Sequence, residues 1–106
     1  INMRPLMPSL REKKRYMRIE VISEKPVKAT EAFEVIKTKF TSLIGSLSAA
    51  KANLRAIPER SGNELIIRVH RKFVDAVRAA LSLSTEVDGQ KIVFRAIKVS
   101  GSIAKV

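Results

Sequence analysis

The sequence contains no cysteine and a single histidine, His70. Without cysteine the chain can form neither a disulfide nor a thiolate metal site, and nothing in its composition points to secretion. One histidine cannot build a multi-histidine metal centre. The sequence therefore argues against a zinc-dependent nuclease or deaminase.

Long apolar runs are also missing. No apolar stretch approaches the roughly 20 residues that span a bilayer. The first ten residues include Pro5 and Pro8 and lack the continuous apolar segment of a signal peptide. We therefore predict a soluble intracellular protein that acts in the cytoplasm without membrane contact.

Negative charge is scarce, whereas positive charge is abundant. The chain has 21 Lys and Arg residues against 10 Asp and Glu, a formal net charge of +11. An excess of this size attracts polyanions and raises repulsion within the folded chain. The excess lies at both ends, because Glu12 is the only acid among the first eighteen residues and no acid follows Asp88.

Two basic clusters are candidate phosphate contacts. The first immediately precedes the first predicted strand, and the second lies where a strand meets a helix, beside His70. A solvated tail, and screening of the second cluster by Asp75, are the alternatives. With Lys98 from the last strand, the predicted RNA-binding residues are Arg11, Lys13, Lys14, Arg15, Arg68, Arg71, Lys72 and Lys98.

Four segments have the alternating pattern of half-buried strands, and two have the three- and four-residue spacing of amphipathic helices. Thr30 is the predicted N-cap of the first helix, and Asp88-Gly89 predicts a tight turn. The predicted strands span residues 16–23, 53–57, 64–69 and 90–99. The predicted helices span about 31–44, with a break near Gly45-Ser46 and a short extension to residue 50, and 71–83.

The order β-α-β-β-α-β is that of ferredoxin-like and RNA-recognition-motif-like domains. We therefore predict an α+β sandwich with a four-stranded antiparallel sheet and two helices on one face. Residues 1–14 form a basic N-terminal arm, residues 15–100 the α/β domain, and residues 101–106 a C-terminal tail.

The phase of the last strand determines which of its side chains face the helices. We assign Val93, Ile97 and Val99 to the helix side, so that other apolar side chains come together on the open face. A contiguous apolar patch indicates a partner protein, self-association or cover by the N-terminal arm. The predicted protein interface comprises Ile22, Ile66, Ile92 and Phe94, with Arg18 and Lys98 at its rim.

A classical RNA-recognition motif stacks bases on aromatic residues of its first and third strands, and Tyr16 is the only candidate platform on these two strands. Recognition of RNA backbone and shape therefore fits better than reading of stacked single-stranded bases. Asp75 and Asp88 have no spacing that would pair them as a carboxylate dyad, and no phosphate-binding glycine loop is present. We predict no catalytic residue and no bound metal, and expect His70 to be a strand-end residue with a local hydrogen bond.

Four stretches resemble the archaeal ribonuclease P protein component 2 family, also called the Pop-five family. They are PSLREKKRY at residues 8–16, SAAKANL at 48–54, VRAAL at 77–81 and VSGSI at 99–103. The resemblance implies a subunit that supports the catalytic RNA in removing the 5′ leader from precursor tRNA. It also implies pairing with protein component 3, a homodimer or heterotetramer, and Mg²⁺ at the catalytic RNA.

Two other classes are possible from the residues. A small enzyme of the acylphosphatase kind needs a phosphate-cradling loop after the first strand, but residues 24–29 contain Pro26 and no glycine. A regulatory or assembly domain that binds only protein would not need a charge of +11. RNA that copurifies with the protein would separate this class from the RNA-binding one.

Overall fold

A computed structural model describes residues 13–57 and 63–106. Arg11 and most of the predicted turn at residues 60–63 lie outside this part of the chain. Within it there are five strands and three α-helices, and the turns Arg71–Phe73 and Ile103–Lys105 are 3-10 helical. The elements are β1 (Lys14–Ser23), α1 (Ala29–Ile44), α2 (Ser46–Ala52), β2 (Arg55–Ile57), β3 (Glu64–His70), α3 (Val74–Leu83), β4 (Glu86–Val87) and β5 (Gln90–Ser100).

The strands form one antiparallel sheet in the order β2-β3-β1-β5-β4. The predicted α+β class is confirmed, but four strands and two helices were too few. The additional strand, β4, has two residues and returns into β5 through Asp88 and Gly89, whose φ angles are 52° and 79°. Two consecutive positive φ angles are typical of the tight hairpin turn that this dipeptide favours.

The helices pack against one face of the sheet and enclose the core. Alternate residues of β1 and β3 are buried beneath them, as the sequence pattern predicts. From the helices, Ile36 and Phe40 of α1 and Val77 and Ala80 of α3 are fully buried against these strands. The other face of the sheet has no helix of the described ranges on it, and we call it the open face.

The phase predicted for the last strand is wrong over most of its length. Ile92 and Phe94 are 4% and 7% exposed and belong to the core, whereas Val93 is 57% exposed. The cause is a bulge, because Arg18 pairs with Lys98 but the next residue, Ile19, pairs with Ala96. The extra residue in β5 reverses the alternation. Val99 packs against the core as predicted. Because the bulge lies between Val99 and Phe94, the alternation at Val99 does not predict which residues are buried on the other side of the bulge.

The first helix begins differently from the prediction, whereas it ends at Ile44 as predicted. Its N-cap is Lys28 rather than Thr30, and no side chain caps it. Gly45, with φ at 85°, separates α1 from α2. Of the apolar residues that follow Phe40, Leu43 and Leu47 are exposed on the outside of the domain. The apolar face predicted for this helix therefore extends beyond the part of the helix that packs against the core.

Candidate nucleic-acid interface

Pairing of β1 with β3 brings the two basic clusters together. Lys14 lies opposite His70, and the Arg71 N–H donates to the Lys13 carbonyl oxygen at 2.7 Å. The start of β1 and the end of β3 are therefore adjacent, although they are more than fifty residues apart in sequence. The side chains of Lys13, Lys14, Arg71 and Lys72 are all exposed there.

Two other predicted residues lie close to this end of the sheet in different orientations. Arg68 is half-buried and shares the alternation of the open face, where it lies opposite Tyr16. Arg15 has the opposite alternation, and its guanidinium donates to the Lys14 carbonyl oxygen at 2.9 Å and lies beside Gly101. We call Lys13, Lys14, Arg15, Arg68, Arg71 and Lys72 the basic end.

Arg55 extends the basic end toward the sheet edge, and the sequence alone did not indicate it. The residue begins the edge strand β2 and lies opposite Arg68, with its Nε donating to Asn53 Oδ1 at 3.0 Å. Two arginines directly opposite each other repel, so an anion over both would relieve a local cost. The position of Arg55 beside Arg68 depends on the register of β2 with β3, which cannot be predicted from composition.

The acids of the open face lie farther along the sheet. Glu20 binds Arg95 at 2.7 Å, and Glu64 lies 3.9 Å from Arg18. Asp75 lies 3.9 Å from Arg78, and within the described ranges no ion pair joins it to Arg71 or Lys72. Lys98 is exposed and lies opposite Arg18, next to these pairs. Among the residues that the structure describes, the open face is therefore positively charged at the basic end, whereas acidic and basic side chains lie beside each other in its middle.

His70 ends β3 and makes a local hydrogen bond, as predicted. Its Nδ1 accepts a hydrogen bond from the Lys72 N–H at 3.2 Å, which requires an unprotonated Nδ1. Burial lowers the pKa of His70, and the charges of Lys72, Arg71 and Lys13 lower it further. The Phe73 ring packs edge-on against the imidazole, with the centroids 6.1 Å apart.

The single histidine makes this electrostatic environment measurable. We expect the His70 ring resonances to titrate below the unperturbed pKa of 6.5 in the free protein. Since the unfolded chain then binds more protons, the contribution of His70 to stability is present above pH 6.5 and is lost as pH falls below it. Phosphate bound at the basic end should raise the pKa again. An NMR titration of His70 with and without RNA tests both shifts. If saturating RNA leaves the pKa of His70 unchanged, the RNA binds elsewhere on the protein.

The far end of the open face is apolar. Ile22 and Val93 are 48% and 57% exposed and lie opposite each other on β1 and β5. Of the four residues predicted to form a protein interface, Ile22 is exposed on this face and Ile66 is half-buried on it. Ile92 and Phe94 are not part of the patch, because their side chains are in the core.

Other kinds of site are not evident in the described ranges. Residues 13–57 and 63–106 contain no group of three or more His, Cys, Asp or Glu side chains that could hold a metal ion. No helix in these ranges is long and apolar enough to cross a membrane.

Comparison with known proteins agrees with the resemblance noted in the sequence. The model of the Rpp14/Pop5 family matches residues 15–106. The chain belongs to the Rpp14/Pop5 family. Relatives named ribonuclease P protein component 2 include those of Thermococcus kodakarensis and Archaeoglobus fulgidus. They are 37% and 35% identical to the chain, over 95% and 97% of its length and 85% and 93% of their own.

A solved structure supports the fold. The protein superposes on a chain in the cryo-EM structure of yeast ribonuclease MRP with a TM-score of 0.67, over 86% of this chain and 76% of that one. Sequence identity is 12%, so this similarity concerns the fold alone. The basic end described above therefore lies on a fold that this solved chain shares.

Proposed function

We propose that this protein is an RNA-binding subunit of ribonuclease P that supports the catalytic RNA in removing the 5′ leader from precursor tRNA. Membership of the Rpp14/Pop5 family and relatives named ribonuclease P protein component 2 support the assignment. The structural observation that carries it is the basic end, where β1–β3 pairing gathers cations from two separate parts of the sequence.

The role of these cations is electrostatic. Each Lys or Arg that neutralises an RNA phosphate releases condensed counterions, and this release favours binding. Screening phosphates at one place also lets RNA segments approach each other. In this proposal the RNA and its Mg²⁺ ions supply the chemistry, and the protein holds the RNA in its active fold.

Partner proteins are part of the same proposal. The Ile22–Val93 patch and the exposed Leu43 and Leu47 are apolar surfaces on opposite sides of the domain. We assign them to contacts within the ribonucleoprotein, with protein component 3 and with a second copy of this chain as partners. The cysteine-free sequence suits a reducing compartment, and we propose the cytoplasm.

Reconstitution tests the proposed function directly. We expect precursor tRNA to be cleaved faster, and at lower Mg²⁺ concentration, when this chain and component 3 are added to ribonuclease P RNA. Omitting only this chain should remove most of that gain. An equal rate without it would contradict the proposal.

The protein alone should have no nuclease activity. Residues 13–57 and 63–106 contain no group of three or more His, Cys, Asp or Glu side chains that could hold a metal ion, and the proposal assigns the chemistry to RNA. Incubating precursor tRNA with RNA-free protein and Mg²⁺ is the test. Cleavage that persists through repurification and copurifies with the folded monomer would show a protein-borne active site.

A further inference from the structure

Among the residues that the structure describes, Tyr16 is the only Phe, Tyr or Trp residue on the open face. The sequence has one tyrosine, four phenylalanines and no tryptophan. Phe40 and Phe94 are buried, and Phe33 and Phe73 pack against the same core. The Tyr16 side chain lies on the other side of the sheet and is half-buried, so part of the ring meets solvent.

Cations surround this ring on the open face. Lys14 and Arg18 are two residues away along β1 and therefore on the same side of the strand. Arg68 lies directly opposite on β3, and Lys98 lies diagonally across β5, beside Ser100. The acids of this face lie farther from Tyr16. Glu64 is the diagonal neighbour of Arg18, and Glu20 lies directly opposite Glu64. None of Tyr16's immediate cross-strand neighbours is acidic.

We propose that Tyr16 is a stacking platform for one unpaired nucleobase whose flanking phosphates contact Lys14, Arg68 and Lys98. The inference rests on the proposed RNA-binding function and deepens it. An aromatic ring stacks on any base, because every base has a π-face. Side chains of Lys and Arg around the ring neutralise the backbone on either side of that base.

The arrangement also limits what can be recognised. One ring can hold one base, so the site does not read a sequence. A base paired within a duplex is covered by its neighbours and cannot reach the ring. The ligand is therefore a bulged, looped or terminal nucleotide beside a helix, and not a run of single-stranded RNA.

The composition provides a direct optical test. Tyr16 is the only tyrosine, and without tryptophan its emission is the intrinsic fluorescence of the whole chain. We would titrate the full chain with a short RNA hairpin that carries one bulged adenosine, and with the same hairpin lacking the bulge. Free tyrosine amide serves as the control for absorption by RNA. The bulged hairpin should quench the emission strongly at saturation, and the fully paired one should bind with little quenching.

Variants separate stacking from charge and from the hydroxyl. Tyr16→Phe should bind the bulged hairpin within about twofold of the unchanged protein, since the ring remains. Tyr16→Leu should weaken that binding about 10- to 100-fold, leave affinity for the paired hairpin within about twofold, and leave the salt dependence of binding unchanged. Arg68→Ala should instead weaken both hairpins and reduce the salt dependence.

The outcomes distinguish this proposal from the proposed function. Tight, salt-dependent binding without quenching, and with equal affinity for Tyr16→Leu, would overturn the stacking site while the RNA-binding function stands. Absence of salt-dependent binding to either hairpin would overturn both. If Tyr16→Leu does not fold, quenching in the unchanged protein and binding by Tyr16→Phe still decide the question.

Discussion

Replacing Phe94 with aspartate is expected to unfold the domain. Phe94 is 7% exposed and belongs to the core that α1 and α3 cover. Truncating a buried phenylalanine costs about 3–5 kcal/mol, and burying a carboxylate among apolar side chains adds to this loss. Small domains have only about 5–15 kcal/mol of stability. Circular dichroism and thermal unfolding of Phe94→Asp measure the loss.

The preceding residue provides a matched control. Val93 is 57% exposed on the open face, so Val93→Asp should change stability by less than about 1 kcal/mol. The two substitutions introduce the same charge one residue apart. A folded Phe94→Asp together with an unfolded Val93→Asp would restore the strand phase predicted from sequence and would contradict the bulge.

Reversing charge at the basic end should abolish tight RNA binding. The triple variant Lys14→Glu, Arg71→Glu and Lys72→Glu removes three phosphate contacts and places three carboxylates against the backbone. The expected loss of affinity is at least about 100-fold at physiological salt. Ribonuclease P activity reconstituted with this variant should fall to the level without the chain. Filter binding and precursor-tRNA cleavage measure the two effects.

The variant should remain folded. All three side chains are exposed, and acids are favourable near a helix N-terminus, where Arg71 and Lys72 precede α3. The control is Lys25→Glu, Lys28→Glu and Lys39→Glu, exposed residues after β1 and on α1 that lower the net charge equally. Equal losses of affinity in the two triples would show a dependence on net charge alone and would remove the basic end as a defined site.

The sequence predicted those parts of the fold that depend on local pattern. The alternation in β1 and β3, the break at Gly45 and the Asp88-Gly89 turn are local signals, and each is where the pattern placed it. The bulge in β5 depends on how two strands pair, and no residue near Ile97 marks it. A strand of two residues such as β4 is too short to show an alternation.

The site was partly predictable for the same reason. Composition and clustering indicated the cations, but only strand pairing shows that the two clusters meet and that Arg55 and Tyr16 lie beside them. The predicted RNA contacts and the remaining interface residues, Ile22 and Ile66, stay predictions. For Lys14, Arg15 and Arg68, the register of β1 with β3 gives the grouping a geometric basis.

If the basic end binds RNA phosphates, the affinity for RNA depends on salt concentration, and this dependence can be measured. Affinity for ribonuclease P RNA should fall with rising salt, with a log–log slope of about 0.7–0.9 per phosphate neutralised. Changing Lys14, Arg71 and Lys72 to alanine should reduce the slope by about two to three. The matched alanine variant of Lys25, Lys28 and Lys39 should keep the original slope. An unchanged slope and full affinity in the first variant would contradict the account.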